Sequence, residues 1–338
     1  MSILDGQIST RRRWLQQALN SAALGGLAAP LAWPNGVRAA GYPSKPIRLI
    51  VPSAAGGSPD AICRVLADAL YPALGQPLVV DNKPGAGGAI GMVELARAEP
   101  DGYTLAYANV GTLAINRSLY AKLPYDPDAL TGIALTGTVQ NALVVRNELP
   151  VKTVQALIAL ARARPGSLTM GSAGNGTTGH LGGELFKAMT GSFMVHVPYR
   201  GSPAAVQDLI GGQIDLMFDN LASIGPHIRS GRVRALGVSG ARRSPMFPDL
   251  PTIQEAGVTG YETTAWGGIV GPKGLPVDIV TLLNKEINRL IALPAIREKY
   301  NQMAVETMAS PPSLIMAMAK VETPRWAEVV KRSGARVD

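Results

Sequence analysis

The stretch that most constrains this chain is Leu168 to Lys187, LTMGSAGNGTTGHLGGELFK, where a strand, a glycine-rich turn and a helix follow in immediate succession. Gly171, Gly174 and Gly176 leave the turn's backbone uncovered, and Ser172, Asn175, Thr177 and Thr178 place neutral polar groups where the helix begins. Such a turn is suited to holding an anion, because helix N-terminal N–H groups and about half a unit of dipole charge stabilise a carboxylate or phosphate without a basic side chain. A second example runs from Ile50 to Leu70: an apolar strand, then Ser53, Ala54, Ala55, Gly56 and Gly57, then Pro59 at the first helical position and Asp60 in the first turn. A third glycine loop, Asn82 to Gly91, also presents backbone N–H groups.

Apolar strands, glycine or proline turns and amphipathic helices alternate along the chain. Strands are predicted at 47–51, 78–80, 104–108, 143–145, 168–170, 195–197, 216–218 and 235–238, an order that points to parallel α/β sheets with ligands beyond their carboxyl ends. The last seventy residues read as helices over 277–291, 294–300 and 311–331, the last interrupted by Pro324.

Residues 1–40 carry an export signal instead of fold: an arginine run at Arg11 to Arg13, a weakly apolar segment from Ala18 to Leu31, and small residues around Val37 and Ala39 for cleavage. The arginines fit a twin-arginine signal, with a general secretory signal as the alternative. Removing these residues takes away four arginines and one aspartate, and the net charge falls from +8 to +5. No basic cluster with interleaved aromatics follows Arg13, which argues against a nucleic-acid partner. About 300 remaining residues exceed what one core usually serves, so two lobes are expected. Cys63 is alone and reads as a buried small hydrophobe, and the four late methionines as core filling.

Catalytic patterns are sparse. His180, His196 and His227 have no metal-helix spacing, and no G-x-S-x-G elbow occurs. Asp60 reads as a helix first-turn acid, and Asp219 with Asn220 as a strand end that caps the next helix. Gly174 to Gly179 formally match a dinucleotide fingerprint, but the next strand, Met194 to Arg200, ends without the acid that would take the ribose. A turn serving only strand-to-helix packing, an NAD(P)-dependent oxidoreductase using this loop, and a secreted hydrolase are the alternatives to an anion receptor.

An ordered set of segments carries a resemblance: Tyr42-Pro-Ser-Lys-Pro-Ile-Arg48, Ala55-Gly-Gly-Ser-Pro-Asp60, Asn82-Lys-Pro-Gly-Ala-Gly-Gly88, Asp101-Gly-Tyr-Thr104 and Lys122-Leu-Pro-Tyr-Asp126. It continues with Gly171-Ser-Ala-Gly-Asn-Gly-Thr177, His196-Val-Pro-Tyr-Arg-Gly201, Asp215-Leu-Met-Phe-Asp-Asn220, Pro251-Thr-Ile-Gln-Glu-Ala-Gly257 and Gly260-Tyr-Glu262. The chain resembles the extracytoplasmic solute receptors of tripartite tricarboxylate transporters, the Bug family. The resemblance implies a two-lobed periplasmic-binding-protein fold, type II-like, with 41–142 and 268–338 in lobe 1 and 143–267 in lobe 2. It implies crossing strands near 139–145 and 263–270. It also implies a periplasmic monomer with no cofactor, metal or catalytic residue, which passes a small carboxylic acid to membrane transporter subunits. By position the ligand residues would be Ser53, Ala54, Ala55, Gly56, Gly57, Asp60, Ser172, Ala173, Gly174, Asn175, Gly176, Thr177 and Thr178, with Asp219 as a further contact. A β-branched side chain at Gly57 or Gly176 is expected to weaken acid binding far more than stability, and loss of Arg200 to matter less.

Overall fold

The computed structural model describes residues 41–337; the export signal and its cleavage near Ala39 lie outside the described residues. Chain order runs β1 (Ile47–Val51), α1 (Ser58–Leu74), β2 (Leu78–Asn82), α2 (Ala89–Ala96), β3 (Thr104–Asn109), α3 (Asn116–Leu119), β4 (Thr131–Val145) and α4 (Val154–Ala163). Next come β5 (Thr169–Ser172), α5 (Thr178–Thr190), β6 (Val195–Pro198), α6 (Ser202–Ile210), β7 (Leu216–Asn220), α7 (Leu221–Arg229) and β8 (Arg234–Val238). The chain closes with β9 (Thr264–Gly271), α8 (Val277–Ala292), α9 (Pro294–Gln302), β10 (Val305–Glu306) and α10 (Leu314–Ser333).

The helices form where apolar spacing meets a proper end. In α1, Ile62, Cys63, Leu66 and Leu70 share the buried face, and Gly75 ends the helix in the left-handed region at φ 69°. Thr177 caps α5, its hydroxyl accepting from the His180 N–H at 3.3 Å. Helix α10 runs unbroken through Pro324, where the sequence predicts an interruption. The neighbouring Thr323 hydroxyl donates to the Ala319 carbonyl at 2.7 Å, a local side-chain bond in the turn before the proline.

The strand order is β2-β1-β3-β9-β4-β7-β5-β6, with β8 and β10 also pairing with β4. Strands β2, β1 and β3 are mutually parallel, as are β6, β5 and β7. The sheets are therefore mixed and not purely parallel as predicted: β9 and β4 run antiparallel to their neighbours. β4 serves both groups. Its residues 131–140 pair with β9, while 141–145 pair with β7 on one side and 142–145 with β8 on the other.

Two buried clusters match the two groups of strands. One gathers Ile50, Met92, Ala106, Leu113, Leu135, Ile315 and Trp326. The other gathers Leu143, Leu157, Met170, Phe186, Phe218 and Tyr261, with Phe186 and Phe218 ring centres 5.6 Å apart. Among the described residues, no helix is long and apolar enough to cross a membrane.

Candidate functional site

The loops that follow β1, β2, β3, β5, β6 and β7 at their carboxyl ends converge on a cavity of about 690 Å³. Ser53, Ala54 and Gly57 come from the first loop, and Ala173, Gly174, Asn175, Gly176, Thr177 and Thr178 from the loop between β5 and α5. Asp219 lies on the wall at the end of β7. The crossing strands supply Val139, Ala265 and Trp266.

Four residues from the sequence reading do not line this cavity. Ala55 and Gly56 are exposed at the tip of the first loop. Asp60 is buried behind it, where its carboxylate accepts from the Gly56 N–H at 2.9 Å and from Arg64 at 3.0 Å. Burial pushes the Asp60 carboxyl up, but Arg64 and the Gly56 N–H outweigh it and leave the group below its ordinary value. Ser172 is fully buried and shapes the second loop: its hydroxyl is 2.7 Å from His196 Nε2 and accepts from the Gly174 N–H at 3.2 Å.

The backbone donors divide into used and open groups. The Gly56 N–H goes to Asp60, the Gly57 N–H to the Ala54 carbonyl at 3.3 Å, and the Gly176 N–H to His180 Nδ1 at 3.2 Å. The amides of Ser58 in α1 and of Thr178 and Gly179 in α5 stand in first turns, where no intrahelical acceptor exists. Two helix N-termini, one from each group of strands, thus open toward one space. The side chains of Ser53 and Ser58 add hydroxyls that have no hydrogen-bond partner among the described residues.

Below the second loop, His180 and His196 stack with ring centres 4.1 Å apart and planes 15° from parallel. Burial, then His196 and Lys187, depress His180 to about 3; burial and Lys187 depress His196 to about 4. Both rings are neutral at pH 7. His180 Nδ1 therefore accepts the Gly176 amide, and its remaining proton sits on Nε2.

Asp219 is 5% exposed and accepts from the Ser202 hydroxyl, which is also 2.9 Å from the Ser223 hydroxyl. Burial pushes its carboxyl up to about 7, against the hydrogen bonds from Ser202, the Asn220 N–H and Ser223. Asn220 precedes α7 but makes no side-chain cap there. Its amide donates instead to Asn141 Oδ1 of β4, which differs from the capping role predicted from sequence and ties a wall residue to the crossing strand.

Glycines at the meeting of the loops have steric reasons. Gly176 has φ 78°, and a Cβ there would stand 2.7 Å from Asn116 Oδ1 and 3.0 Å from Leu119. Gly176 is thus demanded by packing as well as by the cavity, and the expectation that a branched residue there would spare stability does not hold. Gly57 has φ −82° and a Cβ would meet only the Ala54 carbonyl, at 3.3 Å. Sequence reasoning missed Ser58, Tyr107, Tyr120, Tyr199 and Trp266 on the wall. Their only sequence signal is a position at or near a strand or helix end, shared by many residues that do other things. The loop Pro84 to Gly88 also lines the cavity.

Two α/β halves joined by crossing strands, with helix N-termini facing a common cleft, define a solute-binding receptor. The chain belongs to the family described as the tripartite tricarboxylate transporter family receptor, whose model matches residues 62–335. Protein BugT of Bordetella pertussis is 37% identical over 317 residues, which cover 93% of this chain and 95% of BugT. R. palustris Rpa4515, solved with adipate, superposes with a TM-score of 0.85 at 37% identity, covering 87% of this chain and 98% of that one. MatC from Rhodopseudomonas palustris, solved with bound malate, gives a TM-score of 0.82 at 30% identity, covering 86% and 100%. Members of this family are solute-binding receptors and not enzymes, which sets aside the hydrolase and the Gly174 to Gly179 oxidoreductase readings.

Proposed function

We propose that this protein is a periplasmic receptor that captures a small carboxylate between two lobes, 41–142 with 268–338 and 143–267, and delivers it to the membrane subunits of a tripartite transporter. The observation that carries the reading is the pair of helix N-termini, α1 from one set of strands and α5 from the other, opening on one cavity of about 690 Å³. A carboxylate held there draws on backbone donors from both sides, so binding and closure are one event. Adipate and malate in the related structures support the ligand class. The arginine run and the small-residue site before residue 40 support export, and the protein is proposed to act as a monomer.

Calorimetric titration against a panel of mono- and dicarboxylates tests this. One-to-one uptake of an acid without turnover is the expected result, and absence of binding by every acid in the panel would overturn it. Intact-mass analysis of the periplasmic fraction tests export: the expected species lacks about the first 39 residues, and one still beginning at Met1 or Ser2 would refute processing.

A further inference from the structure

The carboxylate reading leaves the indole N–H of Trp266, on the cavity wall, unexplained. Trp266 comes from β9, opposite Thr138 of the crossing strand β4. It lines the cavity and is only 3% exposed, and its Nε1–H is buried with no acceptor among the described residues. An indole N–H can donate but never accept. Buried donors in folded proteins are overwhelmingly paired, so one left over beside a binding cavity points to an acceptor that arrives with the ligand.

The acceptor is not the carboxylate group already provided for. The first-turn amides of α1 and α5 and the Ser53 and Ser58 hydroxyls supply donors for that group. Tyr120 repeats the pattern of Trp266. It lines the cavity, and its hydroxyl is buried without a partner beside Gly87, where a Cβ would lie 3.5 Å from it. Both groups are uncharged. The wall's one Lys or Arg among the described residues, Arg200, is exposed.

We infer that the bound acid carries a second oxygen acceptor, received by the Trp266 Nε1–H, and that Trp266 selects such acids over plain alkyl monocarboxylates. A second carboxylate, a carbonyl or a hydroxyl oxygen satisfies the indole equally in kind. An alkyl chain would close the cavity over an unpaired N–H and bind more weakly. The inference rests on the carboxylate reading and narrows it.

The test uses matched pairs: adipate against hexanoate and malate against butanoate, titrated into the intact protein, into Trp266→Phe, and into protein with β-(3-benzothienyl)alanine at position 266. The last keeps the bicyclic shape and removes only the N–H, which guards against a phenylalanine variant that fails to fold. The wild type is expected to prefer the oxygen-bearing member of at least one pair by about tenfold to a hundredfold. Removing the N–H should abolish most of that preference while leaving the affinity for the plain acid nearly unchanged. Equal losses for both members, or a preference that survives removal of the N–H, would overturn the inference. So would tighter wild-type binding of hexanoate and butanoate. Failure of all four acids to bind would instead overturn the carboxylate reading, and this inference with it.

Discussion

At the scale of single residues, Asp219 is a carboxyl on a wall otherwise rich in amides, hydroxyls and rings. Its carboxyl is pushed up to about 7 by burial, and a ligand anion nearby raises it further, so anion binding and protonation favour each other. Above pH 7 binding is therefore expected to be coupled to proton uptake by the free receptor. Affinity is expected to fall by up to about tenfold per pH unit there and to be flat below it. Calorimetry in two buffers of different ionisation enthalpy should show the proton uptake, and Asp219→Asn should remove it; a pH-independent wild type would refute the linkage. Gly57→Ala introduces no φ strain but sets a methyl 3.3 Å from the Ala54 carbonyl of the first loop, and should weaken acid binding by about tenfold or more while lowering melting temperature less than Gly176→Ala does. Gly176→Ala should instead lower stability by about 1–2 kcal/mol, because of φ 78° and the nearby Asn116. Arg200→Ala should cost less affinity than Gly57→Ala, and the reverse order would favour an arginine clamp over backbone donors. The sequence showed the glycines, since they interrupt apolar periodicity. It did not separate Gly57, which faces the cavity at an ordinary φ, from Gly176, which is fixed by a residue sixty positions away.

At the scale of elements, strand and helix positions were readable because each strand is a short apolar run and each helix keeps one buried stripe, as Ile279, Leu283, Ile287 and Leu290 do in α8. What remained hidden is contact between elements. Nothing local in His180 or His196 announces that α5 and β6 bring their rings into a stack under the second loop. That stack sets an acid limit. Each ring titrates near 6.5 when unfolded but near 3 or 4 in the fold, so the stability it contributes is complete above pH 6.5 and is lost as pH falls toward 4. The expected loss is up to about 1.4 kcal/mol per pH unit for each ring. Urea melts between pH 7 and 4 check this, and a His180→Gln, His196→Gln double variant should show a shallower decline; an identical slope would refute the assignment.

At the scale of the molecule, the structure shows an arrangement in which loops of the two halves meet. A Cβ on Gly201 would stand 2.5 Å from the Ala54 Cβ, and one on Gly87 would stand 3.0 Å from the Asn175 carbonyl. A ligand that contacts both sides favours this arrangement, so small-angle scattering is expected to show a smaller radius of gyration at saturating acid. An unchanged radius would count against closure. The two-lobed class was legible from length and from alternating strands and helices. The mixed strand directions were not, because direction depends on how β4 and β9 return the chain, and no periodicity encodes that.

The sharing of β4 between both sheets has a consequence for anyone recombining such receptors. The chain enters the second sheet along β4 and leaves it after β8, returning to the first through β9. One half therefore cannot be exchanged at a single junction, as beads on a string can. A chimera between this receptor and a relative needs two splices, one inside a strand that is hydrogen-bonded on both flanks. Because each half owns one helix terminus at the cleft, every such hybrid carries a composite binding cup inherited from two parents.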